Sequence, residues 1–145
     1  MDQLKVSIVD AVDDNDGVYV GAQLQINGVS FLDMVRQAEL PMAQQEGTPG
    51  LAGRYGWCYG TRWFMAELMQ RSKNSGQSVS LLQCSCGEPG CWLLYAHIDV
   101  GERTVTWRDF SQSRRESWDY TGFGPFHFDR SEYERELNEI IKALK

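Results

Sequence analysis

The stretch that decides the fold is "LKVSIVDAVDDNDGVYVGAQLQI", residues 4–26. Residues 4 to 9 alternate apolar and polar before breaking at Val9. From 18 to 26 the alternation is strict: Val18, Val20, Ala22, Leu24 and Ile26 share one parity, and Tyr19, Gly21, Gln23 and Gln25 share the other. A period of two is the repeat of a strand that covers one face, and "DAVDDNDG" between the two runs is rich in turn residues. The segment therefore predicts an antiparallel hairpin with one covered face. Its aspartates do not form a known calcium loop. Placing Gly17 at the sixth position of that loop puts Val12 at the first, where an oxygen ligand is required.

Working outward, Asn27-Gly28 marks a turn, and Ser30 with Asp33 suggests a capping box opening the helix "FLDMVRQAEL", closed or redirected by Pro41. Residues 46–60, with five glycines and a proline, read as a long irregular loop. A second helix is expected over about Thr61–Ser72, its apolar face formed by Phe64, Met65, Leu68 and Met69. Three strands follow, at about Val79–Cys84, Cys91–Asp99 and Thr104–Phe110. The middle one, "WLLYAHI", is continuously apolar, as for a central strand covered on both faces. Residues 111–125 read as a second long loop, and "FHF", residues 126–128, as a short strand. Asp129 with Glu132 caps a last helix, where Tyr133, Leu137, Ile140, Ile141 and Leu144 form an apolar stripe. The expected architecture is one α+β domain over residues 1–145: a mainly antiparallel sheet of about five strands with two or three packed helices, the last one C-terminal.

With 145 residues and 42% hydrophobic content, the chain is long enough to bury a core without covalent staples. The N-terminus lacks the apolar run of a secretory signal, and nowhere do about 18 apolar residues follow one another. A cytoplasmic location, no membrane contact and reduced thiols are the corresponding expectations. The net charge of −6 is uneven. Residues 1–50 carry 8 acidic and 2 basic side chains, whereas residues 51–145 carry 12 of each. Nucleic-acid binding needs the opposite sign, so no nucleic-acid partner is expected; an acidic patch suits a basic protein partner.

Three of the chain's four cysteines lie in "CSCGEPGC", residues 84–91. Read as a hairpin turn, this segment places Cys84, Cys86 and Cys91 on one face. Zinc wants a fourth ligand. His97 is six residues further along its strand, about 20 Å away at strand rise, which leaves Cys58 from the glycine-rich loop as the candidate. The C-x-C-x4-C spacing is not the two-residue knuckle of a strong zinc motif. A catalytic thiol would need a nearby base, and Glu88 would raise a neighbouring thiol's pKa rather than lower it. The favoured reading is that the thiols are small buried side chains beside a tight turn, with no cofactor, zinc being the alternative. The chain has no G-x-S-x-G elbow, phosphate-cradling glycine loop, H-E-x-x-H pair or deaminase motif.

The segment from Cys84 to Asn138 resembles a family of small uncharacterised bacterial proteins. Its shared pattern is C-x-C-G-E-x-G-C-W, then W-x-x-F, then an arginine shortly before W-x-Y, then G-P-F-x-F-x-R-x-x-Y. The matching residues run from Cys84, Cys86, Gly87, Glu88, Gly90, Cys91 and Trp92 through Trp107, Phe110, Arg115, Trp118 and Tyr120. They end with Gly124, Pro125, Phe126, Phe128, Arg130 and Tyr133. Weaker likeness extends back to Ile26, and Leu93 stands where that family commonly has proline. The resemblance implies a fold and no particular chemistry. Within it, Trp107, Trp118 and Tyr120 interleave with Arg108, Arg114 and Arg115. That composition suits either an interface or an aromatic loop packed on the sheet, the latter being favoured.

The leading functional expectation is a non-catalytic binding protein, of the kind of a bacterial immunity or antidote protein that neutralises a basic toxin or effector by occluding its surface. Asp10, Asp13, Asp14 and Asp16 would supply the charge, with Trp107, Arg108, Arg115, Trp118 and Tyr120 as further candidate contacts. The alternative is a small zinc-binding domain built on Cys84, Cys86, Cys91 and Cys58, and a third is a cysteine-dependent enzyme.

Overall fold

The computed structural model describes residues 1–58, 61–84 and 92–144. Strands β1 (Leu4–Val12) and β2 (Val18–Ile26) form the hairpin, in register from Leu4 opposite Ile26 to Val12 opposite Val18. The short β3 (Val29–Ser30) adds to β2. Helix α1 (Phe31–Gln45), a 3-10 turn (Pro49–Leu51), β4 (Tyr55–Gly56) and α2 (Thr61–Arg71) follow. Then come β5 (Gln77–Cys84), β6 (Leu94–Val100), β7 (Thr104–Gln112), β8 (Phe126–Asp129) and α3 (Arg130–Ala143). Strands β4 to β8 form a second antiparallel sheet in sequence order.

Two single bridges join the sheets. Ala22 of β2 pairs with Cys58, just after β4, and Asp2, just before β1, pairs with Phe128 of β8. Strand pairing thus runs round a ring, and the architecture is α+β with the last helix C-terminal. Residues of both sheets and all three helices share one core. Its centre is aromatic: Trp107 meets Phe128 edge-on at 4.9 Å and Phe31 at 6.0 Å. Such pairs add about 0.5–1.5 kcal/mol each beyond the area they bury. Tyr133 Oη accepts from Trp107 Nε1 and lies 2.6 Å from Ser72 Oγ, tying α3 to β7 and to the end of α2. Among the described residues no helix is long and apolar enough to cross a membrane.

Four local expectations need correction. Pro41 does not end α1, which continues to Gln45. The buried stripe Phe31, Val35, Glu39 and Ala43 recurs every four residues across the proline, so burial of Ala43 holds the last turn. Ser30 makes no side-chain cap, and Asp33 pairs with Arg36. By contrast, Asp129 caps α3 by accepting from Glu132 N. Strand β6 is buried on one face only, through Leu94, Ala96 and Ile98; Tyr95 and His97 on the other are half-covered. Finally, the hairpin's covered face is covered over half its length, and this sets up the candidate site.

Candidate functional site

The hairpin face that enters the core carries Val6, Ala22, Leu24 and Ile26, all buried. The same face continues past the core edge with Ile8, Asp10, Val12, Val18 and Val20. Here Val12 is 61% exposed, Val18 72% and Val20 48%. These are directly opposed pairs, Val12 with Val18 and Asp10 with Val20. The other face is covered almost to the tip, where Tyr19, opposite Ala11, donates from Oη to Trp57 O at 2.9 Å. Gly21 permits that approach, since a Cβ there would stand 2.8 Å from Trp57 Cβ. On this face, the outer half of the hairpin is therefore an aliphatic surface that no described residue covers, set beside charge.

The four predicted aspartates do different things. Asp13 Oδ1 accepts from Asn15 N and Gly17 N, both at 2.8 Å, so this carboxylate builds the turn. Asp16 occupies the left-handed region at φ 61°, where aspartate is tolerated, and its side chain is exposed. Asp14 lies 3.8 Å from Arg54 in an exposed ion pair. Asp10 is exposed in the middle of the aliphatic surface.

The aromatic and arginine residues are brought together at a second place, mostly engaged with each other. Trp107 is wholly buried in the core and is not available to a partner. Trp118 and Tyr120 are also buried, and with Arg108 and Phe110 they line a groove of about 450 Å³. Arg108 pairs with both Asp99 and Asp109, and the guanidinium holds the Asp99 carboxyl below its usual range. Glu46 clamps the loop by accepting from Trp118 Nε1 at 2.9 Å and pairing with Arg115 at 3.2 Å. The Arg115 guanidinium also stacks 5.2 Å from the Trp92 ring.

Beneath this loop lies a group that motif reading passed over. Glu39, wholly buried, accepts from Tyr55 Oη, Tyr120 Oη and Gly53 N. Burial outweighs these donors and raises the carboxyl above its ordinary value, while both tyrosine hydroxyls are pushed far up by burial and by the facing carboxylate. The signal was present: Glu39 sits on the α1 stripe, four residues from Val35 and four from Ala43. A carboxylate on an apolar stripe requires dedicated donors. The network joins α1, the 46–60 loop and the 111–125 loop.

Of the cysteines, Cys58 is buried, its thiol donating to Leu81 O and pushed up to about 12 by burial. Cys84 is half-buried and faces Tyr55 across the β4–β5 ladder, so Cys58 lies against a different part of β5. Cys86 and Cys91 lie outside the described residues. Among the described residues no three His, Cys, Asp or Glu side chains gather as a metal site. No protein-family model, curated protein or solved structure matches the chain.

Proposed function

We propose that this protein is a non-catalytic binding protein that engages a basic protein partner through the outer half of its β1–β2 hairpin, in the manner of an immunity or antidote protein. The observation that carries this reading is the uncovered aliphatic surface of Ile8, Val12, Val18 and Val20, set beside the exposed carboxylates of Asp10, Asp14 and Asp16. Contiguous exposed aliphatics mark interaction surfaces, and a rim of one charge sets partner choice and the rate of encounter. Burying the aliphatics would supply affinity, and the carboxylates would steer a cationic surface onto them. The arginine and aromatic loop supports the reading only indirectly, because its charges are already paired.

The test is a triple variant, Asp10→Asn, Asp14→Asn and Asp16→Asn, which keeps shape and leaves Asp13 to hold the turn. A basic protein captured from the native host at low salt should associate with the variant about tenfold more slowly, and the salt dependence of that rate should flatten. A captured partner whose association rate is the same for both proteins at every salt concentration refutes the reading.

A further inference from the structure

Resting on the reading of the hairpin as a docking element, the geometry of β1 points to how a partner would attach. We infer that the outer edge of β1, from Ile8 to Val12, accepts by strand addition an extended segment of a partner protein bearing lysine or arginine.

The direction of the backbone groups follows from two bonds that bracket the ladder. Asn27 N donates to Gln3 O, and Asp13 N donates to Gly17 O. In an antiparallel pair, alternate residues turn both backbone groups toward the partner strand and the rest turn them away. The odd-numbered residues of β1 therefore face β2, and Leu4, Val6, Ile8, Asp10 and Val12 face outward. Val6 bears this out, its N–H donating to Glu136 Oε2 of α3 at 2.8 Å. Helix α3 thus seals the edge at its base. Beyond it, no backbone or side-chain group among the described residues pairs with the outward N–H groups of Ile8, Asp10 and Val12. An open edge of this kind is a template for another strand.

Charge selects the occupant. At the base of the hairpin, beyond the sealed Val6, a groove of about 420 Å³ between β1 and α3 carries Asp2, Asp129, Glu132, Glu136 and Glu139 against Lys5 and Arg135, so its lining is net acidic. At the tip stand Asp13, Asp14 and Asp16. The open edge from Ile8 to Val12 spans about 13 Å at strand rise, the length of about four or five extended residues. Such a segment with cationic side chains meets Asp10 along its length and Asp16 at the tip, and extends toward the net-acidic groove beyond Val6, while its alternate side chains lie on Ile8 and Val12. A second copy of this chain is disfavoured. Antiparallel pairing of two β1 edges would bring each aspartate tip to the other's glutamate groove, and parallel pairing would set tip on tip.

The experiment uses the full chain, isotopically labelled, and a short synthetic peptide alternating lysine with threonine, with a glutamate–threonine peptide as control. At saturating lysine peptide, amide hydrogen exchange at Ile8, Asp10 and Val12 should slow about tenfold or more, as for newly paired strand amides, with no effect of the acidic peptide. Ile8→Pro removes one outward donor without touching the ladder and should weaken the peptide about tenfold, whereas Ile8→Thr keeps the donor and much of the affinity. The exchange measurement on the unaltered chain stands even if the proline variant fails to fold. Absence of binding, binding without protection of those amides, or protection that grows with protein concentration in the absence of peptide each overturns the inference; the last identifies a second copy as occupant. The aspartate-to-asparagine triple variant separates the two ideas. If it loses the peptide while Ile8→Pro retains it, the hairpin still docks and strand addition falls; if neither variant changes binding, both fall.

Discussion

Replacing Glu39 by alanine is expected to destabilise the protein by about 3 kcal/mol, because it orphans three buried donors. The carboxylate accepts from Gly53 N on one oxygen and from Tyr55 Oη and Tyr120 Oη on the other. Alanine leaves all three aimed into a space closed to solvent. An orphaned buried donor costs about 1–3 kcal/mol. Three at the low end give about 3 kcal/mol, with loss of packing added and the cost of burying a charge returned. Glu39→Gln separates geometry from charge. It keeps one oxygen for Gly53 N, and the tyrosine hydroxyls can turn to accept from the new amide, so a loss of about 1–2 kcal/mol is expected.

The two proteins should also differ in pH dependence. Burial raises the Glu39 carboxyl in the folded chain above its ordinary value of 4.5. Between the ordinary and the raised value the folded state binds the proton and the unfolded state does not, so stability from this group falls as pH rises through that window. Below the ordinary glutamate range that contribution is fully present. The advantage of the natural protein over Glu39→Gln should therefore shrink from acid to neutral pH. Urea unfolding of both proteins across that range measures it. A loss below about 1 kcal/mol for Glu39→Ala, or an advantage over Glu39→Gln that grows toward neutral pH, refutes the account.

Two other expectations follow from the same loops. Gly53 stands at φ +63°, and a Cβ there would lie 2.5 Å from Arg36 Cβ and 2.9 Å from Arg36 Cα. Gly53→Ala should cost about 2 kcal/mol or more in chemical denaturation, since both the backbone conformation and the close approach to α1 oppose it. Cys58, buried with its thiol raised to about 12, should resist iodoacetamide at pH 8 in the native protein and react once the chain is unfolded. Peptide mass mapping after brief labelling reads this directly, and native labelling of Cys58 at the rate of an exposed thiol would contradict it.

Much of the architecture was written in local periodicity. The alternation over residues 18–26 became β2, the stripe from Tyr133 to Leu144 became the packed face of α3, and Asp129 caps that helix as its position suggests. Where local signals misled, the packing and pairing around them decided. Pro41 was overridden because Ala43, two residues beyond, lies on the same buried stripe. Ser30 and Asp33 have the spacing of a cap, but Ser30 makes no side-chain cap and Asp33 pairs with Arg36. The apolar run of β6 met cover on one side only.

The site shows the same division. Charge crowding placed Asp10, Asp13, Asp14 and Asp16 together in the sequence, but only the folded loop turned Asp13 inward to hold the turn. Periodicity says which residues share a face; it does not say how far the opposing layer extends. Val20 and Ala22 belong to one alternating set, yet on that face the core ends between them, because the bridge to Cys58 comes at Ala22 and the hairpin extends past the core edge. Likewise, Glu39 was visible as a carboxylate on an apolar stripe. Its three donors come from residues 14, 16 and 81 positions away, and no local pattern could have assembled them.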